Sequence, residues 1–218
     1  MDGIILIDKD KGWTSFDVVS YIRSQIATER KVKPKSIKVG HIGTLDPMAT
    51  GLLVILIGRE NTKRVPEFMK LDKVYDVELT LGFETDSFDI EGNKIFCSDR
   101  IPDSLEIKRV LTNFVGLSSQ RPPSFSALKI NGQRAYKLAR KGIAVELKER
   151  PINIYSITHI KYNYPLLSFR ARVSSGTYIR SLGHDIGQSL QTGAYLSSLR
   201  RIKIGDFNIK DAQRIQKL

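Results

Sequence analysis

The sequence predicts an α+β fold built mainly on antiparallel strands. From Ile143 onward, stretches of strand character follow one another without the long helical crossover that parallel neighbours need. Lys73 to Leu81 alternates cleanly, with Tyr75, Val77, Leu79 and Leu81 on one face and Asp76, Glu78 and Thr80 on the other. Two segments with helical spacing, one opening at Thr14 or Ser15 and one at Asp103 or Ser104, supply the helices.

In chain order, Gly3 to Ile7 reads as a strand and Asp8 to Trp13 as a turn. The helix after Thr14 or Ser15 carries Phe16, Val18, Val19, Ile22 and Ile26 as its apolar positions. Arg30, Lys31, Lys33, Lys35 and Lys38 form a basic connection that reads as a solvated charge run. The continuous apolar run Leu52 to Ile57 predicts a buried strand. Asn61 to Met69 allows a short helix limited by Pro66. Glu84, Asp86, Asp89 and Glu91 lack the spacing and glycine placement of a calcium loop and are expected to hold no ion. The second helix runs to Phe114 on Ile107, Val110, Leu111 and Phe114, a stripe that reads as core. Gln120 to Gly142 passes from a proline turn through a strand and a turn into a helix closed by Gly142. Strands are expected at about 144–148, 153–162 and 166–173, and residues 174–187 turn from strand into helix. With no internal repeat or linker, residues 1–218 are expected to form one domain.

Composition narrows the function. The 41% hydrophobic and 27% charged residues are those of a soluble globular protein, and no apolar run approaches membrane-spanning length. The start of the chain is too short in apolar residues for a signal sequence, so a cytoplasmic location is expected. Cys97 is the only cysteine, which excludes an internal disulfide and thiolate metal clusters. The net charge of +12 is uneven: residues 1–110 hold 17 Lys/Arg against 18 Asp/Glu, and residues 111–218 hold 18 against 5. Such a field fits a polyanion such as nucleic acid, and on charge alone it fits solubility equally well.

The densest chemistry lies in Lys38 to Ile57. Gly40, Gly43 and Gly51 permit backbone angles and close approaches that other residues cannot reach, while Pro47 restricts Asp46 to extended geometry. An isolated Asp-Pro is commonly just a turn. Here, however, residues 40–53, Gly-His-Ile-Gly-Thr-Leu-Asp-Pro-Met-Ala-Thr-Gly-Leu-Leu, closely resemble the catalytic motif of the TruB family of tRNA pseudouridine synthases, whose aspartate is the nucleophile. Further stretches follow in family order: Lys73-Val74-Tyr75 with Leu81-Gly82, the segment 120–142, Gly176-Thr177-Tyr178-Ile179-Arg180, and residues 193–201 with Gly205 and Phe207. Near the start, Lys9-Asp10-Lys11-Gly12 departs from the family in lacking a proline after the lysine.

The resemblance implies a pseudouridine synthase fold: a mixed, mostly antiparallel central sheet flanked by helices, with a central catalytic cleft. It implies isomerisation of a tRNA uridine, expected at position 55 of the T loop, with the T arm of tRNA as partner, no cofactor or metal, and a monomer. Asp46 is then the nucleophile, Arg180 its guanidinium partner, and Tyr75 the tyrosine packed against the target base, although by pattern alone Tyr75 is a core or rim residue. His41 takes the place of the flipped nucleotide or stacks beside it, and Tyr178 and Leu199 line the pocket. Lys129, Arg134, Lys137 and Lys141, together with Arg121, Arg200 and Arg201, are expected to meet phosphates. Only Asn208 to Leu218 follow the last motif, so the PUA domain of many bacterial members is expected to be absent. His184-Asp185 lacks the nucleophile elbow of a hydrolase and is expected to be structural. A catalytically idle RNA-folding protein is the alternative, against which Asp46, Tyr75 and Arg180 speak together. A retaining glycosidase needs a second catalytic carboxylate that no motif supplies.

Overall fold

A computed structural model describes residues 2–126, 128–130, 132–135, 138, 143 and 147–215; the side chains of residues 129, 130 and 134 are not among those described. The chain divides into two compact units, Met1–Asp76 with Leu199–Leu218, and Val77–Ser198.

In the first unit, β1 (Gly3–Lys9) lies antiparallel to β3 (Thr50–Ile57), from Gly3 opposite Ile57 to Lys9 opposite Gly51. Strand β2 (Val39–Ile42) pairs with β3 antiparallel, placing His41 opposite Ile55. The apolar run of β3 is continuous because both of its faces are covered. Leu53, Ile55 and Ile57 join Ile7 and the stripe Val18, Val19, Ile22 and Ile26 of helix α1 (Ser15–Glu29). Leu52, Val54 and Leu56 face Ile42, Ile204, Phe68 and Phe207. Each such side chain removed from water contributes about 1.5–3 kcal/mol.

Helix α1 starts where its polar chemistry dictates: the Thr14 hydroxyl accepts from Asp17 N–H at 3.0 Å, and the Asp17 carboxylate accepts from Thr14 N–H at 2.8 Å. Phe16 corrects the expected stripe, being 66% exposed. It lies about 100° round the helix from buried Ser15, outside the arc that Ser15, Val18, Val19, Ile22 and Ile26 span. Instead of one short helix there are two, α2 (Arg59–Lys63) and α3 (Val65–Met69), with Pro66 in the first turn of α3, where its missing N–H is harmless.

Strand β4 (Lys73–Leu81) alternates as predicted, and its buried face includes Lys73 as well as Tyr75. It passes from the first unit into the second, and β12 (Ala194–Ile204) returns. Within the first unit Arg200 and Arg201 of β12 pair parallel with Thr50 and Gly51, β13 (Phe207–Asn208) pairs antiparallel with β12, and β14 (Gln213–Arg214) runs parallel to β1.

The second unit holds the hairpin β5 (Phe83–Thr85) and β6 (Lys94–Phe96), and helix α4 (Ser104–Asn113), capped by Asp103 and ending at Phe114 as expected. Strand β7 (Gly116–Gln120) pairs antiparallel with β10 (Arg150–Asn163), which pairs antiparallel with β11 (Leu166–Val173). Between them come the hairpin β8 (Lys129–Ile130) and β9 (Gln133–Arg134), and later helix α5 (Ile179–Ser189). The sheet is thus mixed and mainly antiparallel, as expected. The strand expected at 144–148 and the helix expected before Gly142 fall largely outside the described residues. Among the described residues no helix is long and apolar enough to cross a membrane.

Candidate active site

In the first unit, residues 43–49 connect β2 to β3 and are stitched down on both sides of Asp46. Before it, Leu45 N–H donates to the Ser15 hydroxyl at 2.9 Å, and that hydroxyl donates to the Leu45 carbonyl at 3.2 Å. Ser15 can do this because it opens α1 on the buried side. After it, the Pro47 carbonyl accepts from Gly12 N–H at 2.8 Å and from Lys9 Nζ at 3.5 Å, and Ala49 N–H donates to the Asp46 carbonyl at 3.1 Å. Asp46 is half-buried within this turn. His41 precedes the loop, its Nε2 3.2 Å from the Thr44 hydroxyl. Burial, and then the charge of Arg201, hold its pKa below the ordinary histidine value.

Three cations that the sequence reading left aside or misplaced sit in this unit. Lys9 is 1% exposed and gives its ammonium to the carbonyls of Trp13 at 2.7 Å and Asp10 at 3.0 Å as well as to Pro47. Burial lowers its pKa to about 8 despite the opposing attraction of Asp46, and the positive charge of Arg201 lowers it further. Lys73, on the inward face of β4, donates to the carbonyls of Met69 and Leu71; burial first and Arg201 second bring it too to about 8.

Arg201 was expected among the phosphate contacts and is instead 1% exposed. The reason is the period of a strand: Arg201 lies two residues beyond buried Leu199 on β12 and shares its face, while Arg200 points the other way. Arg201 Nε donates to the Leu52 carbonyl and Nη2 to the Gly43 carbonyl, both at 2.8 Å. Burial pulls its pKa down, and its attraction to Tyr75, followed by the charge of Asp46, pushes back. Arg200 forms a two-pronged pair with Asp8, at 2.7 and 3.0 Å. Leu199 is buried, its carbonyl accepting from the Thr50 hydroxyl at 3.4 Å. In this unit the structure therefore places Asp46, His41, Tyr75 and Leu199 on a framework shared with Lys9, Lys73 and Arg201.

The second unit holds Arg180 and Tyr178. Arg180 is buried in the first turn of α5 and pairs with Asp89 at 3.3 Å, Nη1 also donating to the Ser87 carbonyl at 3.2 Å and Nη2 to the Phe125 carbonyl at 2.8 Å. The other Asp89 oxygen accepts from the Ser87 hydroxyl at 2.8 Å and Glu91 N–H at 3.0 Å. One carboxylate of the acidic loop is thereby committed to the arginine, a pairing that spacing along the chain did not reveal. Tyr178 immediately precedes α5, and the buried Gln120 amide grips its backbone from both sides, Oε1 accepting from Tyr178 N–H at 2.8 Å and Nε2 donating to its carbonyl at 3.1 Å. His184 stacks on Phe88 with ring centroids 4.0 Å apart. Lys129 and Arg134 stand opposite each other in the β8–β9 hairpin, their side chains outside the described set; Lys137 and Lys141 lie outside the described residues.

The comparisons with known proteins agree with one another. Residues 29–179 match the model of the TruB family pseudouridylate synthase N-terminal domain, and residues 180–218 that of the tRNA pseudouridylate synthase B C-terminal domain. The tRNA pseudouridine synthase B of Clostridium kluyveri is 44% identical over all of this chain and 72% of its own length. That of Protochlamydia amoebophila is 43% identical over 97% of this chain and 77% of its own. Among solved structures, a chain of a Cbf5-Nop10-Gar1 complex superposes with a TM-score of 0.71 at 29% identity, over 98% of this chain and 52% of that one. A chain of an H/ACA RNP bound to a substrate RNA containing 2'-deoxyuridine gives 0.67 at 27% identity, over 97% of this chain and 50% of that one. The chain thus spans about half the length of these two solved chains. Identity of this extent, on a framework that fixes the motif aspartate, establishes that the chain belongs to the TruB family of pseudouridylate synthases.

Proposed function

We propose that this protein isomerises uridine 55 in the T loop of tRNA to pseudouridine, with Asp46 as the group that acts on the sugar. The observation that carries this reading is the fixation of Asp46: its neighbours Leu45 and Pro47 are tied to Ser15, Gly12 and Lys9, and its carboxylate stands in the field of the buried cations Lys9 and Arg201.

Breaking the bond from ribose C1′ to base N1 builds positive character on C1′, which a fixed carboxylate stabilises or attacks. The base then turns, C5 bonds to C1′, and the proton on C5 is lost while N1 gains one. Addition to C1′ and elimination to a glycal both use the same carboxylate, and neighbouring cations favour its charged form. An isomerisation of this kind has no redox or group-transfer step and calls for no cofactor. The target atoms lie inside a stacked nucleotide, so the base must be extruded and held against a wall. Tyr75, Tyr178 and Leu199 are assigned to that wall and His41 to the space the nucleotide leaves. Arg180 is assigned to Asp46 on its motif, and Lys129, Arg134, Lys137 and Lys141 to phosphates. The protein is taken to act as a monomer in the cytoplasm, with the T arm of tRNA as its partner.

The test is tritium release from tRNA labelled at uridine C5, run beside a tRNA-binding titration. Asp46→Asn keeps shape and removes charge, so release should fall by about a thousandfold or more while Kd stays within about twofold. Appreciable turnover by this variant would remove Asp46 from its role. Wild-type protein that binds tRNA and releases no tritium would instead support the idle RNA-folding reading.

A further inference from the structure

Arg201, like Lys9, is only 1% exposed, and the reaction as proposed uses its charge but not its shape. Burying a guanidinium is costly, and an apolar residue of similar volume often serves a core as well or better. What an apolar residue cannot do is hold several oxygens in one plane, which is the property the guanidinium fork supplies.

The oxygens that Arg201 holds belong to the parts assigned to chemistry. Nη2 binds the carbonyl of Gly43, at the entrance of the Asp46 loop, and Nε binds the carbonyl of Leu52, in the strand that leaves it. Tyr75, on the buried face of β4, is close enough to the guanidinium for the two to attract each other. The backbone is cut to fit this fork. Gly43 has φ +65°, and a Cβ there would stand 3.1 Å from Arg201 Nη1.

We propose that Arg201 is a positioning residue for the isomerisation: its fork fixes the Tyr75 ring and the Gly43–Asp46 loop in one geometry, so that the ring meets the base while the carboxylate meets C1′. The inference rests on the function proposed above.

The test is a double-mutant cycle read in single turnovers at saturating tRNA. Arg201→Lys keeps the charge and loses the fork. It should slow tritium release by about thirtyfold or more, with tRNA Kd within about twofold. In a Tyr75→Phe background, which has no phenol oxygen to hold, the same change should cost much less, about fivefold or under. A loss of equal factor in both backgrounds, a loss seen only in Kd, or an Arg201→Lys rate near that of the parent would overturn the inference. Should Arg201→Lys not fold, the decision passes to side-chain NMR of arginine-labelled wild-type protein and Tyr75→Phe. A slowly exchanging guanidinium signal that shifts when the phenol oxygen is removed supports the link, and the absence of any such shift overturns it. Wild-type protein that releases no tritium overturns the function itself, an outcome distinct from an active wild type indifferent to Arg201→Lys.

Discussion

Lys9, Lys73 and Arg201 carry the same formal charge as Lys31, Lys33 and Lys35, and both sets belong to the first unit, yet their surroundings are opposite. The first three are buried and bonded to backbone carbonyls; Lys9 is coupled to Asp46, Arg201 to Asp46, Tyr75 and His41, and Lys73 to Arg201. The second three are exposed on the connection between α1 and β2. In water at close range a pair of charges interacts by about 1 kcal/mol, and several times that at the lower effective dielectric near protein. The net charge of the chain therefore does not separate these two sets of cations; burial does.

The comparison extends to Arg180, the buried arginine of the second unit, where the largest effect is expected. Arg180→Lys keeps the charge but cannot meet Asp89, the Ser87 carbonyl and the Phe125 carbonyl at once. Single-turnover tritium release should fall by about a hundredfold with tRNA affinity retained. Near-wild-type rates would show that positive charge alone suffices and would erase the distinction between a fork and a point charge.

Lys9 sharpens the comparison through pH. Its folded pKa of about 8 lies below the ordinary 10.5, so between those values the unfolded chain binds the additional proton and stability rises with pH; below about 8 the cost of the buried charge is present in full. Wild-type protein should thus gain on Lys9→Met, which does not titrate, by about 1–3 kcal/mol between pH 8 and pH 10.5. Urea melts of the two proteins at several pH values measure this. Activity should move the other way, falling above about pH 8 as Lys9 loses the charge beside Asp46, and at neutral pH Lys9→Met should be slower by about tenfold. A stability difference that stays flat across this range would mean the ammonium is not held as described.

Much of this arrangement was legible in the sequence, and the remainder was hidden for identifiable reasons. The apolar run of β3, the alternation of β4 and the caps at Thr14 and Asp103 follow from local chemistry, and each was found. Lys73 carries no expected role and Arg201 is expected at phosphates because lysine and arginine count as surface residues by default. The period-two signal was nonetheless present, since Lys73 stands two residues before Tyr75 and Arg201 two after Leu199. Asp89 could not be told from Glu84, Asp86 and Glu91, because the contact that singles it out comes from Arg180, far along the chain. Phe16 has helical spacing but an angle round the helix that puts it in water, and spacing alone does not carry that angle.

The smallest effects are expected from the exposed cations, and they test the other half of the comparison. With Arg201 buried and Arg200 engaged by Asp8, we propose that the phosphate contacts come from the basic segment of the second unit, of which Arg121 is exposed and paired with Glu149 at 3.6 Å. Each phosphate neutralised there should add about 0.7 to the log-log salt slope of binding on single-stranded RNA, with about 0.9 as the corresponding duplex value. Exchanging Arg134, Lys137 and Lys141 together for glutamine should weaken tRNA binding and flatten the slope by about two units, while saturating tRNA restores most of the rate. Exchanging Lys31, Lys33 and Lys35 should change the slope by less, because those side chains are expected to be solvated in the complex as they are without it. Titrations over a salt series decide between the two sets. An unchanged slope in the first variant, or the larger loss in the second, would move the RNA-binding face to the α1–β2 connection and leave the charge asymmetry of the chain to serve solubility.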